Sequence, residues 1–145
     1  MSFDIKQAMD IALNEDVSTP PDGAVLYSVS YLKTTKNRDD AYAFVQKNKA
    51  CKTLDHTPCG KLLCDLGAQG TNDMLTQAVK EVWKQASQRF IASASGNVTA
   101  FVDGADRRST FCSVEVPAIL KNDKIKTING IDKFEFLHKT KYSYL

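Results

Sequence analysis

The sequence predicts a single α/β (or α+β) domain, with a helical first half and a second half that combines a helix with a sheet. Apolar residues recur at helical spacing in successive segments before residue 92, whereas short runs of β-branched and aromatic residues follow it. At 145 residues, the chain has the length of one domain. We therefore expect one domain over 1–145, with a helical lobe at about 1–92 and a sheet-containing lobe at about 93–145.

The chain begins with a predicted helix that is followed by a predicted extended segment. Apolar side chains from Ile5 to Leu13 recur at helical spacing, and either Ser2 or Asp4 can cap this helix. The Pro-Pro-Asp-Gly run at residues 20–23 predicts a turn. The next run, Ala24 to Ser30, is rich in β-forming residues and predicts an extended segment.

Further helices are predicted before residue 93. One covers Arg38 to Lys49, and a short one begins at Thr57-Pro58, because proline is favoured at the first helical position, and stops at Gly67. The longest is capped by Thr71 or Asn72 and runs to about Ala92. In the first helix, the expected inward side chains are Ala41, Phe44 and Val45. The second runs through Leu62, Leu63 and Leu66, and the third has one apolar stripe formed by Leu75, Val79, Val82, Ala86 and Phe90.

The second half of the chain predicts the strands of a small sheet. Runs of β-forming residues place strands at Val98 to Val102, at Phe111 to Val116 and at Ile125 to Ile128. Asn129-Gly130 then either closes a hairpin onto residues 134–136 or lies inside a longer strand.

The overall charge does not point to a polyanionic partner or to a membrane. The formal net charge is +2, and no run of about 18 apolar residues is present, so we expect neither nucleic acid nor membrane as a partner. The stretch from Lys121 to Leu145 carries six lysines, which we interpret as solvated surface, with an anionic ligand or acidic partner as the alternative. The N-terminus lacks the pattern of a signal peptide, which predicts a cytoplasmic protein or a fragment of a larger one.

The four cysteines, Cys51, Cys59, Cys64 and Cys112, are interpreted as free thiols. Three of them lie close in sequence with His56 among them, but their spacings miss the usual C-x2-4-C pattern of a zinc site. We therefore predict no metal. A disulfide is an alternative that a chain long enough to bury its own core does not require.

The residue types best suited to chemistry are an indole, a hydroxyl and an acid in otherwise apolar patterns. Trp83 and Ser87 lie one helical turn apart and point the same way. In a strand, Phe111, Ser113 and Glu115 would share one face, on which an ionised carboxylate between valines would be poorly solvated. A carboxylate in that setting is either paired with a cation or kept for function. Core packing of Trp83 and a solvated Glu115 remain the simpler alternatives.

Several segments, in order, resemble the ADP-ribosyl cyclase/NAD glycohydrolase family. The strongest is Ser109-Thr110-Phe111-Cys112-Ser113-Val114-Glu115-Val116, similar to the family's serine-threonine-phenylalanine-glycine-serine-valine-glutamate-valine run. The helix segment with Trp83 and Ser87 resembles the family's tryptophan helix, with its serine four residues on. The run from Lys52 to Thr57 is similar to the acidic signature, and Ala24 to Ser28 is a fainter match. The resemblance covers roughly Val25 to Ile128 and implies a small, mainly parallel sheet with flanking helices.

The resemblance also implies a set of site residues. Glu115 would be the catalytic glutamate and Trp83 an aromatic wall, with Tyr27 where the family has a second tryptophan. Asp55 would be the acidic residue that biases the family between hydrolysis and cyclisation. The residues expected to contact the phosphates and ribose are Ser87, Thr110 and Phe111, with Arg107 or Arg108 in place of the family's arginine. The sequence departs from the family in its His56, in its few cysteines and in its length.

The chemistry of nicotinamide cleavage agrees with a solitary catalytic acid. Nicotinamide leaves its ribose as a neutral molecule, so no second carboxylate is needed to protonate it, unlike in ordinary glycoside hydrolysis. The sequence has no G-x-G-x-x-G run, which argues against a domain that uses NAD as a redox carrier. We therefore expect NAD as the substrate, no cofactor, and hydrolysis to ADP-ribose and nicotinamide in preference to cyclisation.

The compact, cysteine-poor form suggests a toxin domain of a bacterial contact-dependent competition system. Such a domain would be delivered from the producing bacterium as part of a larger secreted protein, would act in the target-cell cytoplasm, and would require a cognate immunity protein. The alternatives are a toxin of another reaction class, an RNase or a protein ADP-ribosyltransferase, or a non-catalytic binding or immunity protein. An RNase would need histidine and lysine pairs, whereas only His56 and His138 are present.

Overall fold

The computed structural model describes residues 4–29, 33–66, 77–105, 109 and 111–139. The helices are α1 (Ile5–Asn14), α2 (Lys36–Lys47), α3 (Pro58–Asp65), α4 (Gln77–Ala92), α5 (Val116–Lys121) and α6 (Lys133–Lys139). The strands are β1 (Val25–Tyr27), β2 (Gly96–Phe101), β3 (Ile125–Ile128) and β4 (Ile131–Asp132). A 3₁₀ turn at Leu54–His56 precedes α3, and a π turn at Phe111–Glu115 leads directly into α5.

The strands form one small, mainly parallel sheet, as the resemblance implied. Its order is β1-β2-β3-β4, with β1 and β3 parallel to β2 and β4 antiparallel to β3. Strand β1 comes from the half of the chain assigned to the helical lobe, and its Tyr27 pairs with Phe101 of β2. The two halves of the sequence therefore share this sheet, and the division into lobes stays a prediction.

The caps of α1 and α3 are those predicted from local sequence. The Asp4 carboxylate accepts a hydrogen bond from the Gln7 amide at 3.1 Å. The Thr57 hydroxyl accepts one from the Gly60 amide, also at 3.1 Å, and Pro58 opens α3. Gly60 allows close packing there, because a Cβ at this position would lie 1.9 Å from the Leu54 carbonyl oxygen. The 3₁₀ turn is thereby packed against the start of α3.

Helix α4 is the longest described helix and supplies a large part of the core. It buries Val82, Ala86 and Phe90 and packs against α1 and the π turn. The Arg89 guanidinium donates to the Ala12 carbonyl of α1 at 2.6 Å. The predicted capping residues of this helix, Thr71 and Asn72, lie outside the described residues, as does Leu75.

The predicted strand from Phe111 to Val116 is wrong. Residues 111–115 form the π turn and residue 116 begins α5, so the two-residue alternation does not apply. The Ser109 carbonyl accepts from the Ser113 amide at 2.9 Å, and the Ser109 hydroxyl accepts from the Cys112 amide at 3.3 Å. Pro117 lies in the first turn of α5, where its missing N–H costs nothing, whereas it would interrupt a strand ladder. Phe111 and Glu115 are therefore buried while Ser113 is exposed.

The hairpin alternative after β3 is correct, but its second strand was misplaced. Asn129 and Gly130 both have positive φ, 53° and 77°, as a tight hairpin turn requires. The strand that follows is β4, and residues 134–136 lie in α6. The Asn129 side chain also donates to and accepts from the Ala100 backbone, at 3.0 and 2.8 Å, which extends the pairing along β2.

Some apolar positions of the predicted helices are not buried. Leu13 and Leu62 are 45% and 40% exposed, since α1 and α3 turn other faces toward the core. Phe44 and Val45 of α2 are half-buried.

A buried lysine closes the C-terminal end of α5. The Lys133 ammonium donates to the carbonyl oxygens of Ile119 and Asn122, at 3.1 and 2.8 Å. Cationic donors are favoured at this end of a helix, where the last carbonyls have no partner within the helix. The contact fixes α5, and with it the π turn that precedes α5.

The Lys133→Met variant should lower the free energy of unfolding by about 1–3 kcal/mol, since two buried carbonyls lose a charged donor. Urea unfolding followed by circular dichroism measures this loss. Lys126→Met, at an exposed position of β3, is the matched control and should unfold like the wild type. Equal stability of the two variants would contradict the capping role of Lys133.

Candidate functional site

Two tyrosines converge on one carboxylate at the carboxyl end of β1. The hydroxyls of Tyr27, the last residue of β1, and Tyr42, in α2, both donate to Oδ2 of Asp55 in the 3₁₀ turn. The Tyr42 contact measures 2.6 Å, and the two rings meet edge-on with centroids 5.8 Å apart. The carboxyl ends of parallel strands are where open α/β sheets bind ligands. Tyr27 and Asp55, both predicted as site residues, are thus in direct contact.

Burial and the nearby carboxylate keep both tyrosines protonated. Burial, followed by the negative charge of Asp55 and its hydrogen bond, raises the pKa of Tyr27 above its ordinary value. Burial and the hydrogen bond to Asp55 raise the pKa of Tyr42 to about 12. Both hydroxyls therefore act as donors at neutral pH.

Glu115 is a buried acid at the end of the π turn. It is 7% exposed, and burial raises the pKa of its carboxyl from 4.5 to about 8, with the negative charge of Asp55 as the second cause. No ion pair of Glu115 is found among the described residues; the pairs found there join Lys36 to Asp40 and Arg38 to Asp39. An acid whose pKa is strongly shifted by burial and by a second acid is typical of a functional site.

Helix α4 packs against both turns that carry these acids. It contributes Ser87, which is buried, and Trp83, which is half-buried and packs against the core. Phe111 is buried at the start of the π turn, so it belongs to the same region. The structure therefore brings the elements carrying Trp83, Ser87, Asp55 and Glu115 into contact, although Glu115 arrives on a helical turn instead of a strand.

A model of the ADP-ribosyl cyclase family matches residues 43–132, which is more than half of the chain. The protein belongs to the ADP-ribosyl cyclase family. The matched region contains Asp55, Trp83, Ser87, Phe111 and Glu115. No curated protein sequence matches the chain at a significant level.

Solved structures of this family share the fold. A crystal structure of an ADP-ribosyl cyclase glutamate-to-alanine mutant has a TM-score of 0.55 and 21% identity, over 75% of this chain and 48% of its own. Porcine CD38, solved with a covalent intermediate, has a TM-score of 0.57 and 22% identity, over 86% of this chain and 66% of its own. Apo porcine CD38 has a TM-score of 0.52 and 22% identity, over 86% of this chain and 65% of its own. This family member spans about half to two thirds of the length of these structures.

Three predicted site residues, Arg107, Arg108 and Thr110, lie outside the described residues. Their predicted contacts with the phosphates and ribose therefore stay predictions.

Two polar residues at this edge of the sheet were missed. Nothing in the sequence marked Tyr42 as a site residue, because helical spacing does not indicate that its hydroxyl reaches Asp55. Ser28 directly follows β1, and its buried hydroxyl has no hydrogen-bond partner among the described residues. Its position at the carboxyl end of a strand was a usable signal. An unpaired buried hydroxyl beside Tyr27 is available to a ligand.

Cys59 is buried, and the other three cysteines are half-buried. Within the described ranges, no group of three His, Cys, Asp or Glu side chains is placed to hold a metal ion. None of the described helices has the length and apolar character needed to cross a bilayer.

The raised pKa of Glu115 predicts a pH-dependent cost to stability. The folded carboxyl keeps its proton up to about pH 8 while the unfolded one loses it near 4.5, so stability falls as the pH rises between these values. The Glu115→Gln variant, which cannot ionise, should gain stability relative to the wild type by up to about 1.4 kcal/mol per pH unit across this window. Denaturant unfolding at a series of pH values measures the difference.

Glu81 is a half-buried glutamate on α4, so Glu81→Gln is the control. The stability of this variant should change with pH as that of the wild type does. A constant difference between Glu115→Gln and the wild type from pH 4 to 9 would mean that Glu115 is not a buried acid.

Proposed function

We propose that this protein is an NAD glycohydrolase that cleaves the bond between nicotinamide and ribose, giving nicotinamide and ADP-ribose. The observation that carries the proposal is the buried carboxyl of Glu115, whose pKa is raised to about 8 beside the charge of Asp55. Such a site lacks a cation among the described residues and favours a ligand that supplies one. The pyridinium ring of NAD is a cation attached to the carbon at which the bond breaks.

The proposed reaction needs one acid near the anomeric carbon. The C–N bond breaks heterolytically, its electron pair leaves with neutral nicotinamide, and positive charge develops on the ribose as an oxocarbenium ion. Ionised Glu115 stabilises that charge, and the effect is strong because a buried site has a low effective dielectric constant. Water then adds to the anomeric carbon, and the carboxylate accepts its proton.

The remaining site residues bind and orient the substrate in this proposal. Trp83 stacks against the pyridinium ring, a contact worth about 2 kcal/mol when the cation is desolvated. Ser87, Phe111 and Thr110 contact the ribose and phosphates, and Arg107 or Arg108 pairs with the diphosphate. No cofactor takes part, since NAD is the substrate.

We further propose that hydrolysis dominates over cyclisation. Cyclisation requires the adenine to fold back onto the ribose, which large aromatic walls favour. Tyr27 stands where the family resemblance implies a tryptophan, and its hydroxyl is turned to Asp55. In this proposal, the Tyr27 side of the site offers the substrate less aromatic surface, and water competes more easily for the sugar.

The biological role that we propose is that of a bacterial toxin domain. It would be delivered as part of a larger secreted protein, would destroy NAD in the target-cell cytoplasm, and would be neutralised in the producer by an immunity protein. The proposal is supported by the low cysteine content of the chain, which has four cysteines.

Incubation of the purified protein with NAD tests the enzymatic proposal. The wild type should produce nicotinamide and ADP-ribose, and Glu115→Gln should reduce the rate at least about 100-fold, because the charge opposite the oxocarbenium ion is lost. Chromatography of the products measures both the rate and the share of cyclic product. The Glu81→Gln variant should remain active. Intact NAD after incubation with folded wild-type protein would refute the activity.

The pH dependence of the reaction should report the titration of Glu115. Since the ionised carboxylate is the active form, kcat/KM should rise about tenfold per pH unit below pH 8 and level off above it. Initial rates at low NAD concentration, from pH 5 to 9.5, give the profile. A flat profile over this range would contradict the assignment of Glu115 as the reacting acid.

A further inference from the structure

We propose that Tyr42 is a positioning residue for this reaction: together with Tyr27, it holds one oxygen of Asp55, an arrangement called the clamp below, and so fixes the second acid of the site. The inference rests on the proposed NAD cleavage for its kinetic consequence. The clamp itself is a property of the described residues.

The clamp joins three elements that are distant in sequence. Tyr27 ends β1, Tyr42 lies in the middle of α2, and Asp55 lies in the 3₁₀ turn. An aspartate on a short turn can rotate about its side-chain bonds, and one hydrogen bond leaves part of that freedom. Two donors from different directions on the same Oδ2 atom remove it. Both of these hydrogen bonds end on Oδ2 of Asp55 and leave Oδ1 out of the contact with the tyrosines.

The hydrogen bonds to Asp55 also bear on Glu115. The negative charge of Asp55 adds to the effect of burial in raising the pKa of the Glu115 carboxyl. The two tyrosine hydroxyls hold the aspartate side chain from which this charge acts. Tyr42 thus influences Glu115 through Asp55.

Tyr42 is itself held in place by its neighbours. Its ring meets Tyr27 edge-on, and it meets the His56 ring edge-on with centroids 4.7 Å apart. The His56 ring is fixed in turn, because its Nδ1 lies 2.5 Å from the Thr53 hydroxyl. Burial lowers the pKa of His56, which favours a neutral ring. Arg38 is the cation that acts on Tyr42, and its effect opposes that of Asp55.

A double-mutant cycle tests whether Tyr42 works through Asp55. Tyr42→Phe keeps the ring and its contacts with Tyr27 and His56 but removes the hydroxyl. It should lower kcat for NAD cleavage about tenfold, the usual effect of losing a hydrogen bond to a charged group, and should change KM less than about twofold. In the Asp55→Asn background, the same change should cost much less, because the amide that replaces the carboxylate accepts only a neutral hydrogen bond. Additive losses in the double variant would overturn the proposal.

The ionisation of Tyr42 gives a second readout that does not depend on activity. With its pKa at about 12, Tyr42 should be about one-tenth ionised at pH 11, as measured by the difference in tyrosinate absorbance between the wild type and Tyr42→Phe. The same difference measured between Asp55→Asn and the double variant should show a larger ionised fraction of Tyr42, because the carboxylate charge is gone while burial still raises the pKa of Tyr42. An unchanged difference would overturn the clamp.

The two experiments distinguish a failure of the clamp from a failure of the proposed NAD cleavage. If wild-type protein leaves NAD intact while the absorbance difference depends on Asp55 as expected, the proposed activity fails and the clamp stands. If NAD is cleaved but the cycle is additive, the activity stands and the positioning role of Tyr42 fails.

Discussion

The burial of the Glu115 carboxyl is the constraint on which the rest of the site depends. At neutral pH a carboxyl with a pKa near 8 is mostly protonated, and the ionised form is disfavoured by burial and by the charge of Asp55. Several contacts nevertheless fix the backbone that keeps the Glu115 carboxyl buried. The Asn122 amide donates to the carbonyls of Ile91 and Ala94, at 2.8 and 3.0 Å, which ties α5 to the end of α4. With the Lys133 contacts at the same end of α5, this network fixes the helix that follows Glu115.

The parts of the fold that follow local rules could be predicted from the sequence. Asp4 and Thr57-Pro58 start their helices because a cap and a first-turn proline act within a few residues. The error at residues 111–116 had a different origin. That run alternates like a strand, but Ser109 and Pro117 on either side of it impose helical backbone. Proline is favoured in the first turn of a helix, which is where Pro117 lies.

The candidate site also has residues that the sequence indicates and a residue that only the structure shows. Tyr27, Asp55 and Glu115 could be singled out because the resemblance marks their positions in the sequence. Tyr42 could not, since its contact with Asp55 spans α2 and the 3₁₀ turn and depends on how α2 packs over the sheet. Helical periodicity indicates which face of α2 is buried, and it does not indicate which polar group that face meets. Contacts between distant elements are therefore the part of this site that only the structure supplies.

The two acids and their tyrosine donors suit a substrate whose positive charge disappears during the reaction. Under the proposed activity, the pyridinium cation favours the ionised form of Glu115. Binding of NAD therefore releases the proton that the Glu115 carboxyl holds before the substrate binds. Once the bond has broken, nicotinamide is neutral and ADP-ribose carries only negative charge. The ionised acid then loses its partner and faces the charge of Asp55 again, which favours both re-protonation and departure of the products. An enzyme gains rate only from interactions that are stronger in the transition state than in the bound substrate, so the Glu115 carboxylate accelerates the reaction to the extent that it interacts more strongly with the oxocarbenium charge than with the pyridinium charge.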